Sequence, residues 1–232
     1  MRQNPQEDFL PALGTITQSG SGYGMDFEPD SISFSHLLDL STEVCDIIPI
    51  SDQIAEREEW KLDTLLVVVD MQNDFVTGEK GTVEARRILP AVNEKIRQAQ
   101  RVIYTLDTHN QKFHSAQEGK NAPKEHCKRG SWGHSLAEGL LFREGSEIIE
   151  KHTYGSLKLG QTVRELADMG EIEAVELIGV CTDACVITNA LLIKTFCPKL
   201  PVYLDAACCA GETPQGHKAA LEVLKVCQVK IK

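Results

Sequence analysis

Positive charge is what this 232-residue chain is short of: 24 Lys and Arg stand against 34 Asp and Glu, a net charge of -10. That deficit argues against nucleic acid or an anionic membrane as the main partner and is consistent with plain solubility. Long apolar runs are missing too, since none exceeds the length of Leu65–Val69, far too short to span a bilayer. No apolar segment of the secretory kind follows the polar opening Met1-Arg-Gln-Asn-Pro-Gln-Glu-Asp8. The eight cysteines, at 45, 127, 181, 185, 197, 208, 209 and 227, are therefore expected to be free thiols in a reducing, cytoplasmic compartment.

What remains is an ordinary globular composition, 42% hydrophobic and 25% charged. Residues 1–60 open with scattered Gly, Ser, Pro and Gln, then carry two apolar patches, Ile32–Leu40 and Val44–Ile50. They read as an N-terminal extension of unknown role, leaving 61–232 as the domain. From Leu62 the pattern turns regular. Strands are expected at Leu65–Val69, Val102–Leu106, Glu147–Glu150, the apolar run around Gly179, and Val202–Leu204. Helices are expected near Glu84–Ala99, Thr162–Met169, from Val186 through Ile193, and Pro214–Val226, with a polar loop over Asp107–His134. Strand alternating with helix predicts a doubly wound, mostly parallel α/β sheet flanked by helices, with ligand beyond the carboxyl ends of the strands.

That placement singles out Asp70, Asp107 with His109, Lys151, and the turn Thr182–Cys185. Thr182 and Asp183 are natural N-caps, which would put Cys185 in the first helical turn, where free N–H groups and the helix dipole favour a thiolate. Alone, Cys185 reads more readily as a small buried residue closing a strand, and only its company elsewhere in the chain reverses that. Asp70, ending an apolar strand, is a partly desolvated carboxylate suited to accepting a thiol proton, and Lys151 would steady both charges if it reaches them. The plainer alternative is a turn-capping Asp70 and a solvated Lys151. The loop after Asp107 is rich in donors: His109, His114, Glu118, His126 and His134, four of the chain's seven histidines. Asp-x-His after a strand, completed about ten and nearly twenty residues on, suits a divalent metal with open positions, or else the loop merely happens to be His-rich.

Five separated segments together resemble the nicotinamidases among the isochorismatase-like cysteine hydrolases. They are Val69-Asp-Met-Gln-Asn-Asp-Phe75, Asp107-Thr-His109, Gln117-Glu-Gly-Lys followed by Pro123-Lys-Glu-His-Cys127, Glu150-Lys-His-Thr-Tyr-Gly-Ser156, and Gly179-Val-Cys-Thr-Asp-Ala-Cys185. The resemblance runs from about Leu62 to the C-terminus. It implies Cys185 as nucleophile, Asp70 as general base and Lys151 as third catalytic group. It also implies a divalent metal, zinc foremost with iron or manganese as alternatives, on Asp107, His109, Glu118 and His126. A cis peptide is implied at Val180–Cys181, with an oxyanion hole from the N–H groups of Cys181 and Cys185, and Phe75 against the substrate ring.

The implied reaction is hydrolysis of nicotinamide to nicotinate and ammonia, a step of NAD salvage, by an enzyme whose partner is a small carboxamide and which could form a homo-oligomer. Two alternatives stay open: another cysteine hydrolase of the superfamily acting on a carbamoyl or carboxamide compound, or a catalytically silent scaffold. One departure from the resemblance is plain. Asn121-Ala-Pro-Lys-Glu-His126 lacks an aromatic that many relatives carry, so one wall of the ring clamp is missing or comes from Trp132. The longer interval to His126 makes Glu118 preferable to His114 as third ligand.

Overall fold

The computed structural model describes residues 63–110, 117–121 and 124–232. The expected extension, residues 1–60, lies outside them. Six strands form one sheet in the order β3-β2-β1-β4-β5-β6, and every pairing is parallel. They are β1 (Thr64–Val69), β2 (Arg101–Asp107), β3 (Glu147–Lys151), β4 (Ala174–Val180), β5 (Val202–Ala210) and β6 (Lys230–Ile231). The short β6 carries too little apolar pattern to be read from sequence, and β5 runs six residues past the expected Leu204.

The helices are α1 (Asn73–Val76), α2 (Val83–Gln98), α3 (Gln117–Asn121), α4 (Leu157–Asp168), α5 (Ile187–Phe196) and α6 (Pro214–Val226). Ser156 starts α4 five residues earlier than the apolar pattern suggests, its hydroxyl accepting from the amide of Leu159. Thr82 and Thr213 cap α2 and α6 in the same way.

The central strand β1 has almost no access to water, with Leu65 to Val69 at 2% exposure or less. Burying each such side chain contributes about 1.5–3 kcal/mol, which is why this short run anchors the sheet. Alternation splits the core in two. Leu65, Val67, Val69, Ile103, Ile149 and Leu177 face α4, α5 and α6, while Leu66, Val68, Val102, Tyr104 and Ile178 face α1 and α2. Gly179, at φ 116°, lets β4 pass so close to β1 that a Cβ there would sit 2.2 Å from the Val69 carbonyl oxygen. Among the described residues all seven cysteines are free, and no helix is long and apolar enough to cross a membrane.

Candidate active site

Beyond the carboxyl ends of β1, β2, β3 and β4 the side chains of Asp70, Asp107, Lys151 and Cys185 converge, each with no more than 4% exposure. Lys151 ends β3 on the same face as Ile149, and its Nζ lies 2.7 Å from Asp70 Oδ2, an ion pair angled poorly for a hydrogen bond. The same ammonium donates to Cys185 Sγ at 3.3 Å, Asp107 Oδ1 at 3.2 Å and the Thr153 carbonyl at 3.2 Å. Asp70 adopts a left-handed backbone, φ 49°.

Burial raises the Asp70 carboxyl, with Asp107 adding to the rise and Lys151 opposing it. Burial would discharge Lys151, yet the Asp70 and Asp107 carboxylates outweigh it and hold the ammonium charged. The Cys185 thiol is pushed well above its ordinary value by burial, then by the Asp70 charge, against the pull of Lys151. Burial and the neighbouring carboxylates thus oppose the thiolate that a helix start would favour.

The turn itself also differs from expectation. Cys185 sits in a π turn, Thr182–Val186, that leads into α5, and no side chain caps it. Thr182 Oγ1 instead meets His217 Nδ1 at 2.8 Å, and Asp183 Oδ1 accepts from the Glu212 amide at 2.9 Å. Both expected caps thus tie the turn to the segment opening α6. The peptide Val180–Cys181 is cis, and the Cys181 carbonyl accepts from Ala184 and Val186. Burial, with Asp183 next, pushes the Cys181 thiol up to about 12.

Beside this cluster, Asp107, His109 and His126 bring one donor atom each within 4.8 Å of one another, all buried. Asp107 Oδ2 is 2.7 Å from His109 Nε2 and 3.5 Å from His126 Nε2. His126 Nδ1 lies 2.9 Å from the Lys124 carbonyl, a contact that turns the ring with Nε2 toward Asp107. Burial alone would raise Asp107, but hydrogen bonds from the two histidines and the charge of Lys151 hold its carboxyl far below the usual range. One anionic oxygen and two imidazoles at this spacing fit a divalent ion with open coordination positions. Glu118 falls in α3, while its side chain and all of His114 lie outside the described residues.

Phe75, in α1, is buried and packs edge-on to the His126 ring at 5.5 Å. Trp132 is half exposed and donates its indole N–H to Glu138. Lys124 pairs with Glu79 at 3.3 Å, so its charge is engaged away from the histidines. His134 and His152 take part in the loop's own hydrogen bonding through Thr108.

The model of the Isochorismatase domain matches residues 64–231. The chain belongs to the isochorismatase family. Among solved structures, this isochorismatase-family chain is similar to the pyrazinamidase of Pyrococcus horikoshii in complex with zinc, 29% identical over 73% of this chain and 98% of that one, TM-score 0.64. The pyrazinamidase/nicotinamidase of Streptococcus mutans shares the fold at 22% identity, covering 73% and 99%, TM-score 0.63. PnC1 of L. infantum, in complex with nicotinate, shares it at 21%, covering 73% and 91%, TM-score 0.62. No curated protein gives a match to the sequence.

Three supporting residues of this isochorismatase-family site escaped the reading of its sequence. Gln72 accepts the Asp107 amide and donates to the carbonyls of Asp107 and His134. Asp74 Oδ2 accepts the Cys127 amide at 2.7 Å, fixing the residue after His126. Asn189 reaches from α5 to the Cys185 and Tyr154 carbonyls and accepts the Ser156 amide, joining the Cys185 turn to the segment after β3. A polar run directly after a buried strand could have flagged the first two. Asn189, inside an apolar helix, was the clearer signal.

Proposed function

We propose that this protein is a metal-assisted cysteine amidohydrolase acting on nicotinamide. The observation that carries the reading is one buried ammonium, Lys151, touching both Asp70 and Cys185 while a buried Asp-His-His group adjoins it through Asp107. The likeness to a zinc-bound pyrazinamidase supports the choice of a pyridine-like carboxamide over other substrates.

In this reading Asp70 accepts the Cys185 proton as Sγ attacks the carboxamide carbon. The oxyanion is met by the N–H groups of Cys181 and Cys185. Asp70 returns its proton to the departing nitrogen, the C–N bond breaks and ammonia leaves. A water then gives Asp70 a proton and its oxygen to the thioester, releasing nicotinate and restoring the thiol. Lys151 keeps the carboxylate and sulfur paired with positive charge throughout.

Asp107, His109 and His126, with Glu118, would hold the divalent ion, zinc by preference. When bound, that ion orients and polarises the pyridine ring. Phe75 stacks on that ring. The product would enter NAD salvage in the cytoplasm, and neither nucleic acid nor membrane is needed as a partner.

The test is ammonia release across nicotinamide, pyrazinamide and simple carbamoyl compounds, with metal content measured on the same sample. Nicotinamide or pyrazinamide turnover with a stoichiometric divalent ion is the expected result. Turnover of carbamoyl compounds alone, without metal, would replace the reading with another hydrolase, and no turnover at all would leave a silent scaffold.

A further inference from the structure

Asp70 occupies a position whose parity is wrong for its job. Along β1 the odd positions, Leu65, Val67 and Val69, face the core that contains Cys185, and the even ones, Leu66 and Val68, face the other. On β2 and β3 the residues that meet at the site, Asp107 and Lys151, share parity with Ile103 and Ile149 on the Cys185 side. Asp70 is even-numbered, and a regular strand would send its side chain to the far face. Its left-handed backbone, φ 49°, breaks the alternation, a conformation that is costly for a residue other than glycine unless its surroundings hold it.

Thr105 supplies that hold. It is fully buried on β2, on the Cys185 side, where a doubly covered parallel strand ordinarily carries an aliphatic residue. Its Oγ1 donates to Asp70 Oδ1 at 2.6 Å and accepts the Asp70 amide at 3.2 Å, alongside the Asp70 amide's bond to the Thr105 carbonyl. One hydroxyl thus grips backbone and carboxylate of the same residue, on the oxygen opposite the one that faces Lys151. Lys151 cannot fix that orientation by itself, because its ammonium is shared among Asp70, Asp107, Cys185 and the Thr153 carbonyl.

We propose that Thr105 is the positioning residue that turns the Asp70 carboxylate onto the nucleophile's side of the sheet and presents Oδ2 to the Cys185 thiol. The inference rests on the function proposed above. Donation to the carboxylate also favours its charged form, working with Lys151 from β3 and against Asp107 from β2, while Cys185 faces it from the π turn.

The experiment measures kcat, KM, the acid limb of the pH profile and thermal melting for the full chain, Thr105→Val and Thr105→Ser, on whichever carboxamide the wild type hydrolyses. Thr105→Val should lose kcat by on the order of tenfold to a hundredfold, part of what general-base chemistry contributes. KM should stay nearly constant and the acid limb should move to higher pH. Thr105→Ser, which keeps the hydroxyl, should recover most of kcat. A valine variant with wild-type kcat and acid limb overturns the inference, and so does a serine variant impaired as badly as valine. Should valine fail to fold, Thr105→Ala is measured against the same serine reference. An inactive wild type removes the functional reading itself, whereas an active wild type with indifferent Thr105 variants removes only this inference.

Discussion

Lys151 Nζ stands 2.7 Å from Asp70 Oδ2, with both side chains shut off from water. Asp107 lies 3.2 Å from the same ammonium, so one cation serves two buried carboxylates and a sulfur. Thr153 adds a neutral carbonyl. Removing that one cation would leave both carboxylates uncompensated.

Lys151→Met therefore tests the cluster most severely. Two carboxylates would face each other without a cation, and breaking a buried pair from one side costs about 3–5 kcal/mol. Turnover should fall at least about a hundredfold, and the melting temperature should drop. Unchanged melting and activity would mean the ammonium only fills space.

Acid should switch the enzyme off earlier than an ordinary aspartate would. The Asp70 carboxyl is raised, by burial first, so it takes up its proton at a pH above the usual carboxylate range. In the proposed mechanism the ionised form is the proton acceptor. Hence kcat/KM should be level above that raised value and decline about tenfold per pH unit below it. An acid limb near 4, the ordinary aspartate value, would show that Asp70 is not the group being read.

Metal analysis checks the second cluster. The protein purified without chelator should carry one divalent ion per chain, lost in His126→Ala, and chelation should lower nicotinamide hydrolysis while leaving the secondary structure intact. Full turnover by metal-free protein would remove the ion from the account.

Gly133 offers a more remote test. A Cβ there would lie 2.0 Å from Asp74 Oδ2, the atom that accepts the Cys127 amide beside His126. Gly133→Ala should displace Asp74, cost about 1–3 kcal/mol, and weaken metal binding about tenfold or more, as changes behind a ligand usually do. Normal metal affinity in a stable Gly133→Ala protein would separate Asp74 from the metal loop.

Much of the fold could be read from residue pattern, because β1 to β5 are short apolar runs separated by amphipathic helices, and parallel strands need both. The rim residues followed from one rule, that chemistry gathers beyond strand ends. What pattern could not convey was set by tertiary contacts. Thr182 and Asp183 look like helix caps, yet α6 and the loop before it claim both side chains. Cys185 looks like a thiolate at a helix start, yet burial and the Asp70 charge push its thiol well above the ordinary value. Thr105 and Asp74 look like ordinary polar residues, and only the approach of β1 to β2 and of α1 to the metal loop gives them partners.

The most direct measurement is rapid mixing of enzyme with nicotinamide, acid quench and intact-mass analysis with peptide mapping, on wild type and on Cys185→Ala. The account predicts a transient nicotinoyl thioester on Cys185 in the wild type, and in the variant neither adduct nor ammonia despite an unchanged fold. Ammonia released by Cys185→Ala at the wild-type rate, or an acyl group found on another cysteine, would contradict it.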